Sequence, residues 1–361
     1  MARRISHRKL AQLIEALEPS IRDAFLAAIA SVRARAPVSV IADLVEAGRI
    51  DDVLQVLGID SALLSPLSES VRSAFVAGGA QGMAEVPPIQ LALRPIITGS
   101  YAARPVSPVL RVSFDLFNPR AQSWLVNHSS QLVTRIVSEQ RSAIQQVLST
   151  GMQLGRNPRQ TALDIVGRVG ETGRRTGGIV GLTEQQAQFV SNMRTELASG
   201  DSRLLARYLR RERRDKRFDS SVRKAMEAGK PLSQGDIDKI AGRYSDRLLH
   251  LRGENIARTE SMAAFNAARE EAYMQAVEAG GLHPEHVRKT WGATGDERTR
   301  DSHAALHGIE IGLLETFQSP TGARMRYPGD TEMGAGAEDV AGCRCTAMYR
   351  VDMLAATMGA R

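Results

Sequence analysis

Between Asn118 and Gly151, apolar side chains recur at Ala121, Leu125, Leu132, Ile136, Ile144, Val147 and Leu148, a single stripe at helical spacing. Asn118 is a favourable N-cap and Pro119 suits the first helical position. The stripe predicts a helix of about 33 residues, roughly 50 Å long at 1.5 Å per residue. A helix of that length draws its stability from packing, so it requires a partner helix, a partner subunit, or both. A second stretch, "SQGDIDKIAGRYSDRLLHLRGENIARTESMAAFNAAREEAYMQAVEAG", starts at a capping Ser233 and ends at Gly280. It carries Ile237, Ile240, Tyr244, Leu248, Leu251, Ile256, Met262, Phe265 and Ala268 at loose helical spacing, with Gly253 a candidate kink. Hydrophobic residues make up 43% of the chain but aromatics only 4%, so its cores rely on Leu, Ile, Val, Ala and Met. Such composition favours helices. The fold class expected is mainly α with a small C-terminal α+β unit, long central helices and an elongated, multi-part chain.

Four parts are expected. Residues 1–86 read as an N-terminal helical bundle, in which "VSVIADLVEAG" and "IDDVLQVLG" are short helices closed by Gly. Residues 87–117 contain clustered prolines and β-branched pairs, the signature of an extended linker with one or two strands. Residues 118–280 form the long-helix region, in which "GRRTGGIVG" reads as a flexible loop and "LTEQQAQFVSNMRTEL" as a helix capped by Thr183. Residues 281–361 form the small α+β unit. No apolar run approaches the roughly 18–20 residues that cross a bilayer. "MARRISHRKLAQLIEAL" is broken by Gln12 and Glu15, and reads as an amphipathic helix, not an export signal.

The formal charge is +7. Between Arg203 and Arg247 there are 14 Lys/Arg against 7 Asp/Glu, so this segment alone accounts for the surplus. Its densest part holds Arg210, Arg211, Arg213, Arg214, Lys216 and Arg217. One reading is a solvated helix face laced with ion pairs. The other is contact with nucleic acid or an acidic protein surface, through phosphates and without base stacking, since only Tyr208 and Phe218 interleave.

The two cysteines, Cys343 and Cys345, are separated by one residue, which makes a disulfide between them a strained ring and favours a reducing compartment. Upstream, "DERTRDSHAALHG" places His303 and His307 four apart, on one face of a short helix. "GCRCTAMYRVD" reads as a strand, which would put both thiols on one side. Two imidazoles and two thiolates make a complete tetrahedral set for zinc, closed and therefore structural. The same residues admit two other readings. His303 and the thiols are core packing, or Asp301, His303 and Cys343 act as an acid-oriented Cys/His pair. "PGDTEMGAGAED" reads as a mobile surface loop, not a phosphate cradle. Asp296, Arg298 and Arg300 are expected to pin a tight turn or to pair with one another and with Asp330.

"IARTE" at 256–260, "KTWGATGDERTRDSHAALHG" at 289–308, Phe317, "YPGD" at 327–330 and "CRC" at 343–345 occur in that order. Together they resemble the head-morphogenesis domain of phage minor head proteins, the Mu F-like family. The resemblance assigns motif positions to Trp291, Asp296, Arg298, Thr299, Arg300, His303, Gly308, Cys343 and Cys345. It implies a non-enzymatic minor head protein of a tailed bacteriophage that binds portal, major capsid or scaffold protein, and double-stranded DNA. Its setting would be the host cytoplasm during assembly, then the virion head near the portal vertex, with roles in procapsid assembly, genome packaging or ejection and no membrane partner. Some relatives carry a toxin or enzyme module after this domain; only 16 residues follow Cys345, so none is expected here. The alternatives are a toxin-like enzyme, either a nuclease or a thiol hydrolase, in the C-terminal unit, and a DNA-binding accessory protein.

Overall fold

A computed structural model of the chain describes residues 5–90, 109–110, 112–153, 155–170, 173–280 and 282–352. Most of the expected linker, 91–108, lies outside them; at its ends Ile89–Gln90 pairs antiparallel with Val109–Leu110. The fold is mainly α, with long helices at Pro119–Gln153 and Gln234–Glu278 and small antiparallel sheets. Among the described residues no single helix is long and apolar enough to cross a membrane. The chain divides into two compact units, each assembled from separated stretches.

The first unit comprises residues 1–21, 68–128 and 255–361. Its backbone is the latter half of Gln234–Glu278, where every residue from Glu260 to Tyr273 is buried. A helix covered on all sides is normally apolar all round. This one instead uses alanines (Ala263, Ala264, Ala267, Ala268 and Ala272) to bring neighbours close, and its polar residues are paired. Glu271 receives the Arg120 guanidinium at 2.9 and 3.0 Å. Arg269 donates to Ala347 O at 2.6 Å and pairs with Glu85 at 2.7 Å.

Against this helix lies a three-stranded antiparallel sheet, ordered Glu310–Gly312, Val287–Gly292, Thr346–Val351. The central strand pairs Val287 with Val351 and Gly292 with Thr346. Its alternation buries Val287, Lys289 and Trp291 completely. The helix His7–Glu15, capped by Ser6, adds Leu10 and Ile14 to a core that also holds Met262, Phe265, Trp291, Leu306, Phe317, Met325, Cys343 and Cys345.

Helix Ser65–Glu85 approaches the buried helix through glycines. A Cβ at Gly78 would stand 2.4 Å from Phe265 O, and one at Gly82 would stand 2.7 Å from the Ala272 Cβ. Backbone cannot yield as a flexible side chain can, so Gly78→Ala is expected to cost about 1–3 kcal/mol by overpacking. Urea denaturation followed by tryptophan fluorescence reads this directly, since both tryptophans, Trp124 and Trp291, lie in this unit.

The second unit comprises residues 22–67 and 129–254. Helix Glu184–Ala198 begins with a reciprocal capping box between Thr183 and Gln186. The segment expected as a flexible loop is ordered differently: Arg175–Thr176 pairs with Arg168–Val169, and residues 177–182 are buried. The physical reason is carbonyl satisfaction. Arg33 donates to Gly178 O and Val180 O, and Arg252 donates to Gly181 O at 2.7 Å, so buried guanidinium groups bind this backbone in place of water.

Candidate metal centre

His303 sits in the short helix Asp301–Leu306, which the polar turn before it positions. Within that turn Asp296 accepts from the Arg298 N–H at 3.1 Å and the Thr299 hydroxyl at 3.2 Å. Its carboxylate also receives a bidentate fork from Arg344, both contacts 2.6 Å, and this holds the Asp296 carboxyl well below the usual carboxylate range. Arg300 donates to Ala341 O. Asp330, an expected partner of this turn, is instead engaged by Arg326 at 2.9 Å, four residues away. Arg344 stands between the two cysteines, so the Asp296–Arg344 fork brings the cysteine turn to the histidine helix.

The cysteine turn has further anchors. The Gly342 N–H donates to Thr259 Oγ1 at 2.9 Å, and Asn266 Nδ2 donates to Cys345 O at 3.2 Å. Cys343 and Cys345 lie in the turn leading into strand Thr346–Val351, not within the strand as expected, because residues 341–345 bond to these side chains and not to a neighbouring strand. Nothing in the spacing of the sequence pointed to Thr259, Asn266 or Arg344 as supports; Arg344 was legible only as the middle of "CRC".

The result is a compact donor set. The Cys343 and Cys345 Sγ atoms lie 3.4 and 3.5 Å from His303 Nδ1, and the Cys345 N–H donates to Cys343 Sγ at 3.4 Å. All three ligand atoms fall within 4.8 Å of one another, so His303, Cys343 and Cys345 could hold a metal ion. Both cysteines are free, and all three residues are 2–3% exposed. A hydrogen bond from the Cys345 thiol, helped by His303, pushes the Cys343 pKa down. The same hydrogen bond with Cys343, together with burial, pushes that of Cys345 up.

His307 stands apart from this set. It is exposed, and its Nδ1 accepts the Ala293 N–H at 3.1 Å. Gly308 adopts φ +80°, a left-handed turn that suits glycine, and donates to Trp291 O at 2.9 Å. Trp291 is fully buried with its ring edge-on to His303, centroids 5.3 Å apart.

Residues 216–348 match the family described as Phage Mu protein F like protein. Over this segment the chain is similar to the Mu F-like family. The Mu F-like domain thus contains the whole donor set and its supports. Two curated relatives extend the comparison. An NAD(+)–arginine ADP-ribosyltransferase of Enterococcus faecalis is 36% identical over 101 residues, 27% of this chain and 18% of that protein. Minor head protein GP7 of Bacillus phage SPP1 is 32% identical over 131 residues, 36% of this chain and 40% of that protein. The matches span less than half the length of either relative. No solved structure matches the chain significantly.

The basic segment, partly outside the Mu F-like domain, divides into two sets. Arg211 forms a bidentate pair with Glu196, Arg214 with Asp219, and Arg217 pairs with Asp215 at 2.6 Å. Arg210, Arg213 and Lys216 are exposed.

Proposed function

We propose that this chain is a minor head protein of a tailed bacteriophage that acts by binding, not by catalysis. The observation that carries this reading is the match to a curated minor head protein together with the Mu F-like domain. Its partners would be portal, capsid or scaffold protein during procapsid assembly in the host cytoplasm, and its place in the virion the head near the portal vertex. Arg210, Arg213 and Lys216 are among the exposed cations of the basic segment that would meet DNA phosphates or an acidic protein face.

Burial supports a structural role for the centre. A nucleophilic or hydrolytic thiol must meet its substrate, and these two lie 3% exposed in an apolar core. Zinc fits the donor set: two soft sulfurs and one imidazole supply three of the four positions of a tetrahedral site. Bound there, it would staple a small α+β core whose own apolar content is modest.

Procapsids purified from cells producing this protein with its phage head proteins test the reading. The chain is expected to sediment with the heads at a fixed ratio to portal protein, and incubation with NAD+ is expected to transfer no ADP-ribose to arginine. Heads that form normally while the chain stays in the soluble fraction, or ADP-ribose transfer, would overturn it.

A further inference from the structure

The zinc reading leaves a fourth ligand to identify. We infer that it is His7, at the start of the N-terminal helix, so that one ion ties this helix to the Mu F-like domain. The inference rests on the zinc reading and adds to it a residue from the far end of the chain.

The argument begins with burial. Three donors only 2–3% exposed leave no open side for water, so a closed site must find its last ligand in the protein. The unpartnered buried polar atoms point to where. Of eight such atoms among the described residues, four belong to this neighbourhood: His7 Nε2, Trp291 Nε1, His303 Nε2 and Thr346 Oγ1. Buried polar atoms are nearly always satisfied, and each orphan costs about 1–3 kcal/mol. Their concentration around two thiols marks a place built for a further polar group.

Two imidazoles compete for the fourth position. His307 is exposed and has already committed Nδ1 to the Ala293 N–H. His7 presents a buried Nε2 with no hydrogen-bond partner. Its ring lies against the strand that carries Trp291: a Cβ on Gly292 would stand 2.9 Å from His7 Cδ2. The Gly292 backbone and the Cys343 and His307 side chains lie near its ring; the neutral imidazole is the form that binds metals. The helix that bears it is docked already, since Leu10 and Ile14 share a core with Cys343 and Cys345. The His7 nitrogen is not within the 4.8 Å span of the other three donors, so ligation requires it to move toward them. Charge balances: Zn2+ displaces the two thiol protons, and two thiolates with two neutral imidazoles leave the site neutral.

The test uses the purified full chain, one equivalent of Zn2+ or Co2+, and a competing chelator. Wild type is expected to hold one metal with the intense visible Co2+ bands of a tetrahedral S2N2 site. His7→Ala is expected to weaken binding at least about tenfold and to shift those bands as water enters. His7→Cys is expected to recover affinity with stronger sulfur-to-cobalt absorption. Hydrogen exchange across residues 8–15 should rise in His7→Ala or after chelation. If wild type holds no metal, the zinc reading itself fails. If Cys343→Ser loses the metal while His7→Ala keeps both affinity and spectrum, zinc stands and His7 is not the ligand. Loss on His307→Ala alone would assign the position to His307.

Discussion

Trp291→Ala is expected to destabilise the sheet-bearing unit by about 3–5 kcal/mol, the usual cost of deleting a fully buried tryptophan. Trp291 is 0% exposed, near the C-terminal end of the middle strand. One edge meets Phe317, centroids 5.1 Å apart, and another meets His303. The chain is poor in aromatics, so few large side chains stand ready to fill the cavity. The thiols supply the measurement. Cys343 and Cys345 share the core with Trp291, so in wild type they should react with a thiol reagent only when this region opens. In metal-free protein the labelling rate should rise by roughly two to three and a half powers of ten in Trp291→Ala, tenfold for each 1.4 kcal/mol. Trp291→Phe, which keeps most of the contacts, should fall between. A labelling rate unchanged in Trp291→Ala would mean that the cysteines open independently of this core.

This contrast shows which parts of the molecule were legible in the amino-acid order. The helix Pro119–Gln153 was legible because a local periodicity over many turns has one reading. The hairpin Arg168–Thr176 was not, since its strands are two residues each, and Arg33 and Arg252, which hold the buried backbone just after it, are remote in sequence. The "PGDTEMGAGAED" segment was misread as mobile surface. Asp330 and Asp339 are 1% exposed, Asp330 pairs with Arg326, and a short helix, Ala337–Val340, closes the segment. Glycine content signalled flexibility, whereas Asp330 is held by Arg326 and Asp339 by Ser319 and Thr321. At the candidate centre the "DSHAALH" and "CRC" patterns pointed to His303, Cys343 and Cys345. His7 carries no such signal, because its environment arises only when the first helix packs beside the last strand.

The second large effect is expected at a buried ion pair that sequence reading passed over. Lys289 alternates with Val287 and Trp291 on the buried face of the central strand, where a hydrophobic residue would ordinarily stand. Its Nζ lies 3.2 Å from both carboxylate oxygens of Glu270, and Tyr349 donates to the same carboxylate at 3.2 Å. Removing one member leaves the other charge buried without its partner, so Lys289→Met should cost about 3–5 kcal/mol, whereas Lys289→Met with Glu270→Leu should recover most of it. Burial outweighs the lysine and pushes the Glu270 carboxyl up to about 7 from its ordinary 4.5. The sign follows from proton counting. Between pH 4.5 and 7 the unfolded carboxyl has lost its proton while the folded one retains it. Stability from this group is therefore fully present below the unfolded value and declines as pH rises, by at most about 1.4 kcal/mol per pH unit. Burial also lowers the Lys289 pKa, which gives the opposite slope in the alkaline range, where the unfolded lysine still binds its proton. Urea midpoints followed by tryptophan fluorescence from pH 4.5 to 7.5 should show a downward slope in wild type that is absent from the double variant. Equal slopes in the two proteins would place the proton uptake elsewhere, and a double variant as unstable as Lys289→Met would show that the pair is held by shape and not by charge.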